Sequence, residues 1–299
     1  MTSDPSPTEA APLCAAPHPE PRAATFDVPP GAVDTHAHVI GLPPDYPLAQ
    51  NRSYTPVEAT PGMYLGMLDA LGMTYGVLIQ VSVHGTDNRR MVETLRANPD
   101  RLRGIAVVDP DVPDAELDEL AVAGVRGLRL NVLFGGGVGL DAMTRLGPRC
   151  AERGWHLQLL MDARTLPEME NTIRALPVPV VVDHMGHMPV SAGVGDPGFQ
   201  SLLGLMRDGR AWVKLSGAFR VSDAGPPYAD TASLATALIE ANADQCVWGS
   251  DWPHVGLSDM PFNTGDLLDL LGHWVPDADL RHRVLVDNPG RLYGFPPAA

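Results

Sequence analysis

Cysteine is scarce. Cys14, Cys150 and Cys246 are the three in a chain of 299 residues; they lie far apart, form no CxxC unit and are odd in number, which argues against a disulfide framework. Positive charge is short as well: 21 Lys and Arg face 36 Asp and Glu, a formal net charge of -15, and no Lys/Arg block interrupts the excess. Such a surface repels nucleic-acid phosphates and anionic lipid heads, while a few focused arginines can still bind a small anion. No apolar run reaches the roughly 18 residues needed to span a bilayer. The stretch 1–28 is rich in Pro and Ala but lacks a basic start followed by an apolar core. It reads as a flexible tail, extended or disordered, rather than a signal peptide, and the expected location is the cytoplasm.

Missing too is the phosphate-binding turn of a nucleotide-binding sheet. The glycines between Phe134 and Gly139 come without a P-loop Lys or a GxGxxG pattern, so a doubly wound sheet lacks its usual signature.

What is present is a folded composition, 44% hydrophobic and 19% charged, with short Val/Ile/Leu runs alternating with stretches of helical period. The apolar runs are Ala32–Val39, Tyr75–Ser82, Arg103–Val108, Gly124–Asn131, Trp155–Met161, Val178–His184, Ala211–Gly217 and Gln245–Asp251. Helical segments fall between them, among them Asp87–Asn98, Pro113–Ala123, Asp141–Arg153, Thr165–Leu176 and Thr231–Ala241. Repeated strand–helix units without a linker predict one α/β domain, a (β/α)8 TIM barrel over residues 29–299.

Three of these runs end in polar residues. In Asp34-Thr35-His36-Ala37-His38 the histidines are two apart, which on a strand points both imidazoles to one face about 7 Å apart along the chain. The sixth run closes on Asp183-His184 and the eighth on Ser250-Asp251 ahead of Trp252-Pro253-His254. Barrel enzymes keep their chemistry at the C-terminal ends of strands, so His36, His38, His184 and Asp251 are expected to meet at one mouth. The competing reading is a binding barrel that holds its histidines as satisfied core groups. Asp183 can be a simple cap, His187 reads as solvent-facing and Met161 as core filling. On the fourth strand Arg129 and Asn131 share the pocket-facing parity, Arg126 has the opposite one, and Arg220 sits on a mouth loop. Guanidinium groups there suit a carboxylate or another oxyanion.

Taken together, Val33–His38, Gly124–Asn131, Val182–Met185, Lys214–Arg220, Gly249–His254 and Asp287–Phe295 resemble the amidohydrolase superfamily, in its branch of pyrone-dicarboxylate and sugar-lactone hydrolases, from about residue 31 onward. The resemblance implies a hydrolase that opens a lactone of a small carboxylic acid. In it Asp251 activates water and His36, His38 and His184 polarise the carbonyl. It also implies substrate contacts from Arg129, Arg220 and Tyr54, with Gln80, Ser82, Asn131 and His254 at the same mouth. A carboxylate-bearing small molecule is the expected partner, and a homo-oligomer is left open. No cofactor is expected. The alternative is a single Zn or Mn ion on the same four residues, as in a zinc-dependent decarboxylase or hydratase of the superfamily; lactone isomerisation is a further alternative. The fourth run ends Arg129-Leu130-Asn131 and offers no bridging Lys or Glu for a binuclear centre. Two departures stand out: Gly135 occupies the place of a further family arginine, and Leu160-Met161 that of a tyrosine, which favours a ligand with one carboxylate or a less polar ring.

Overall fold

A computed structural model describes residues 11–296. Eight parallel strands, β1 (Val33–Ala37), β2 (Tyr75–Ile79), β3 (Leu102–Ala106), β4 (Val125–Asn131), β5 (His156–Leu160), β6 (Val180–Val182), β7 (Ala211–Leu215) and β8 (Cys246–Trp248), each pair with the next in chain order. The ring closes just beyond β8. Ala37 bridges Trp252, the Asp251 amide donates to the His36 carbonyl at 2.8 Å, and the His38 amide donates to the Trp252 carbonyl at 2.8 Å. The chain is thus the expected (β/α)8 barrel, and each apolar run matches one strand, β3 beginning one residue before its run, at Leu102. The sixth and eighth strands end at Val182 and Trp248, short of their runs, and the backbone turns left-handed two and three residues later, at His184 and Asp251.

Strands buried on both faces need apolar runs rather than alternation, and β1, β5, β6, β7 and β8 are buried along their whole length. The helices α1 (Pro61–Leu71), α2 (Arg89–Ala97), α3 (Asp114–Val122), α4 (Met143–Glu152), α5 (Leu166–Ala175), α6 (Pro197–Arg207), the short α7 (Ala218–Val221), α8 (Ala232–Asn242) and α9 (Thr264–Trp274) follow in chain order. Local chemistry sets their starts. Thr60 and Asp196 accept amide protons at the N-termini of α1 and α6, each with Pro at the first turn, and Asn263 with Asp266 forms a capping box on α9. After α10 (Ala278–His282), α11 (Asn288–Tyr293) seals the bottom of the barrel. Tyr293 meets His156 edge-on at 5.4 Å between ring centres and Phe295 stacks on Tyr75 at 4.6 Å.

Of the stretch expected to be a flexible tail, residues 1–10 lie outside the described residues. Residues 11–28 run extended along the barrel. The Cys14 amide donates to the Thr55 carbonyl at 2.9 Å and the Ala15 amide to the Leu257 carbonyl at 2.8 Å. Arg22 pairs with Asp266 and Asp269 of α9. Backbone pairing, isolated ion pairs and scattered apolar contacts from Cys14, Phe26 and Val28 hold this strap, and none of these leaves a hydrophobic period in the sequence. All three cysteines are free and buried, and no helix of the described residues is long and apolar enough to cross a membrane.

Candidate active site

The four residues singled out at the strand ends converge. His36 Nε2 lies 3.7 Å and His38 Nε2 3.8 Å from Asp251 Oδ1, and His184 Nε2 lies 3.7 Å from Asp251 Oδ2. None of the four is more than 3% exposed, so their charges act in a water-poor site where electrostatic effects are strong.

The local backbone is what aims them. In β1 the strand register slips between Asp34 and Ala37. Plain alternation would put Asp34 and His36 on one face. Instead Asp34 accepts from Tyr64 of α1 and from Ser250, while His36 turns inward to Lys214. Asp251 and His184 sit at φ 60 and φ 51, a region that costs a non-glycine residue about 1–3 kcal/mol and recurs at functional sites. Close approach also demands a small neighbour: a Cβ on Gly249 would stand 2.7 Å from His36 Cβ.

Burial would raise the Asp251 pKa, but the Arg220 guanidinium, through its charge and its hydrogen bond, opposes it, and the carboxyl is held well below its usual range. Burial keeps the imidazoles neutral: His36 and His184 are pushed well down, and His38 falls to about 4. The result is a carboxylate ringed by neutral imidazoles.

Beneath the cluster lies a polar layer whose pairing the sequence did not show. Lys214, wholly buried on β7, donates to the Thr35 carbonyl and to Gln158 Oε1, both at 2.8 Å. Gln158 Nε2 and Arg129 Nη2 donate to Asp183 Oδ2 at 3.1 and 3.2 Å. Burial lowers the Lys214 amine to about 8 against the opposing pull of Asp183. Asp183 therefore does more than cap a turn: it is the counter-ion of Arg129 and Lys214. The signal available in sequence was a Lys in the middle of an apolar strand, which is rarely tolerated without a partner.

The residues expected around the substrate divide by what they hold. Arg220 Nε donates to Asp251 Oδ2 at 2.5 Å, and its guanidinium lies over the Phe219 ring at 4.7 Å. Arg129 reaches the Gln80 carbonyl at 3.4 Å besides Asp183. Tyr54 and Ser82 bond to each other at 3.2 Å and are buried. His254 is buried near Asp251 with neither ring nitrogen partnered, and burial pushes its pKa to about 3. Asn131 ends β4 as expected and Gln80 lies one residue past β2, but both spend their amides on loops: Gln80 Nε2 donates to the Gly85 and Asp87 carbonyls, and Asn131 Oδ1 accepts from the Leu133 and Phe134 amides. His187 was expected to face solvent. It is instead mostly enclosed, with its ring centre 6.0 Å from that of His184 and Nε2 unpartnered. Met161 is core as expected. Gly135 has no room for a side chain, because a Cβ there would overlap the Asn51 carbonyl oxygen at 1.9 Å.

By spacing, the donor set fits a single divalent ion. His36 Nε2 and Asp251 Oδ1 are buried without hydrogen-bond partners, and ligand atoms of His36, His184 and Asp251 lie within 4.8 Å of one another. The 3.7 Å His–Asp spacings are close to the edge of about 3.4 Å that metal–ligand bonds of ~2.1 Å give in a tetrahedral site.

Residues 33–295 match the amidohydrolase family. The chain is 38% identical over 279 residues to a 2-pyrone-4,6-dicarboxylate hydrolase of Comamonas testosteroni, covering 90% of this chain and 92% of that protein. It is 37% identical over 289 residues to a 4-sulfomuconolactone hydrolase of Rhizobium radiobacter, covering 95% and 96%. Among solved structures, a probable 2-pyrone-4,6-dicarboxylic acid hydrolase of Acinetobacter baumannii with citric acid bound superposes with a TM-score of 0.80 at 29% identity, over 89% of this chain and 100% of that one. With its barrel and its ring of imidazoles about a buried aspartate, this protein belongs to the amidohydrolase family.

Proposed function

We propose that the protein hydrolyses the ester bond of a lactone that carries a carboxylate, with Asp251 as general base. The observation that carries this is the convergence of His36, His38 and His184 on Asp251, beside Arg220 and in a family whose relatives include lactone hydrolases. Asp251 takes a proton from water as the water oxygen attacks the lactone carbonyl carbon. Imidazole N–H groups receive the developing oxyanion, as donors aimed at a tetrahedral intermediate do. Collapse breaks the ring C–O bond, and the leaving alkoxide or enolate regains the proton, giving the open hydroxy or keto acid. The substrate carboxylate is assigned to Arg220, whose guanidinium edge sits beside the base. With Gly135 crowded by backbone, a substrate with one carboxylate, or with a second anion smaller or differently placed, fits better than a pyrone dicarboxylate.

A second reading is favoured by the two orphaned atoms, His36 Nε2 and Asp251 Oδ1. One zinc or manganese ion on His36, His38, His184 and Asp251 would supply hydroxide near neutral pH. The test is a panel of carboxylated lactones in H2¹⁸O, alongside metal analysis and chelation. Label in the product acid identifies hydrolysis; an unlabelled isomer identifies lactone isomerisation and removes water as nucleophile. Activity that survives chelation supports the first reading, and stoichiometric metal whose removal ends turnover supports the second.

A further inference from the structure

Resting on the lactone-opening reading, we infer that Lys214 is a positioning residue that fixes His36 with its proton on Nε2, making His36 the carbonyl donor and leaving His38, of opposite tautomer, to accept from the attacking water.

The tautomers follow from what the inner nitrogens meet. His38 Nδ1 lies 2.8 Å from the Ile79 carbonyl oxygen. A carbonyl accepts only, so a neutral His38 carries its proton on Nδ1 and shows a bare lone pair at Nε2. That lone pair faces Asp251 Oδ1 across 3.8 Å. Two acceptors so placed are reconciled by something that donates to both, and a water with its two O–H bonds directed at them leaves an oxygen lone pair for attack.

His36 meets the opposite environment. The Lys214 ammonium has three N–H donors and no acceptor. Two go to the Thr35 carbonyl and Gln158 Oε1 at 2.8 Å, and the third reaches His36 Nδ1 at 3.3 Å. Gln158 cannot turn its amide to release that geometry, because its Nε2 is given to Asp183. The competing acceptor for a proton on His36 Nδ1 is Asp183 Oδ1 at 3.2 Å. That contact is within ion-pair distance but makes no hydrogen bond, and the charge of Asp183 Oδ1 is met by Lys214 Nζ at 3.6 Å. Nδ1 is therefore the acceptor and Nε2 carries the proton, directed at Asp251 and the space where the carbonyl oxygen develops charge. A metal ion bound through His36 Nε2 demands the reverse tautomer, so Lys214 biases the site toward donor chemistry.

The test is ¹⁵N–¹H correlation spectroscopy of the imidazole side chains in the native protein, prepared metal-free, with the His36 signals identified by their loss in His36→Gln. A proton on His36 Nε2 and on His38 Nδ1 is expected; a proton on His36 Nδ1 overturns the inference whatever the activity. Lys214→Met is expected to move the His36 proton to Nδ1 and to lower kcat at least tenfold with KM little changed. An unmoved proton removes Lys214 from the role. Should Lys214→Met not fold, Asp183→Asn gives the converse arm: the proton stays on Nε2 if Lys214 sets it, and a shift overturns the inference. Because the spectra need no turnover, a native Nε2–H tautomer in a protein inert toward lactones sinks the function and spares the positioning of the His36 proton by Lys214, and active protein with the Nδ1–H tautomer does the opposite.

Discussion

Arg220 and Asp251 are locked together: Nε lies 2.5 Å from Oδ2, with Nη2 tied at 3.0 Å to the Val255 carbonyl. A carboxylate held this way is a weak base. On the assignment proposed above, a substrate anion that draws the guanidinium away would loosen that hold at the moment the base is needed, and recognition of the carboxylate and activation of water would share one side chain.

Arg220→Gln tests that sharing. KM for a carboxylated lactone is expected to rise about tenfold to a hundredfold, the loss of a charged hydrogen bond. With the guanidinium gone, the Asp251 pKa moves back up, so the acid limb of kcat/KM for an uncharged lactone shifts to higher pH. An unmoved limb on the uncharged substrate contradicts the coupling.

Asp251→Asn removes the base with little change of shape. Turnover is expected to fall by about 10²–10⁴ while circular dichroism and ligand binding by an unreactive carboxylate persist. Undiminished hydrolysis in this variant assigns the base elsewhere.

Gly249→Ala places a methyl 2.7 Å from His36 Cβ. Overpacking of this kind costs about 1–3 kcal/mol and displaces His36, so both melting temperature and kcat should drop. Gly66→Ala is the control: it lies inside α1 with nothing near its new Cβ and should be neutral or stabilising by up to about 1 kcal/mol. Equal behaviour of the two would refute the steric account.

Acid should unfold the protein early. His38, His156 and His254 have pKa values pushed by burial to about 4, 3 and 3, below the ordinary 6.5 of an unfolded chain. As pH falls below 6.5 the unfolded state binds protons that the fold refuses, so stability declines down to about pH 4, each group contributing about 1.4 kcal/mol per unit. Asp34, raised by burial to about 6, works in the opposite sense between about pH 6 and 4, but it is one group against three. Urea titrations from pH 7 to 4.5 check this, and a flat or rising midpoint toward acid contradicts it.

The barrel was legible in the chain because parallel strands buried on both faces must be written as apolar runs, and eight of them alternate with helical period. The mouth was legible for the same reason: His184 and Asp251 stand out as polar residues ending apolar strands, and the paired spacing of His36 and His38 survives in the fold. What composition could not reveal was pairing. Arg129, Gln158 and Lys214 come from β4, β5 and β7 and Asp183 from the residue after β6, and their mutual satisfaction depends on which residues share a layer inside the ring. Gln80 and Asn131 have the right parity, yet their amides are taken by adjacent loops, a competition between local and distant partners that parity does not decide. The register slip after Asp34 and the strap of residues 11–28 are likewise products of contact. Sequence by itself determined the periodicity, and with it the barrel and the positions of the acid and imidazoles along the strands. Only the closed tertiary structure decided which of them face one another and which hydrogen bonds remain open, because buried polar groups must find partners in three dimensions.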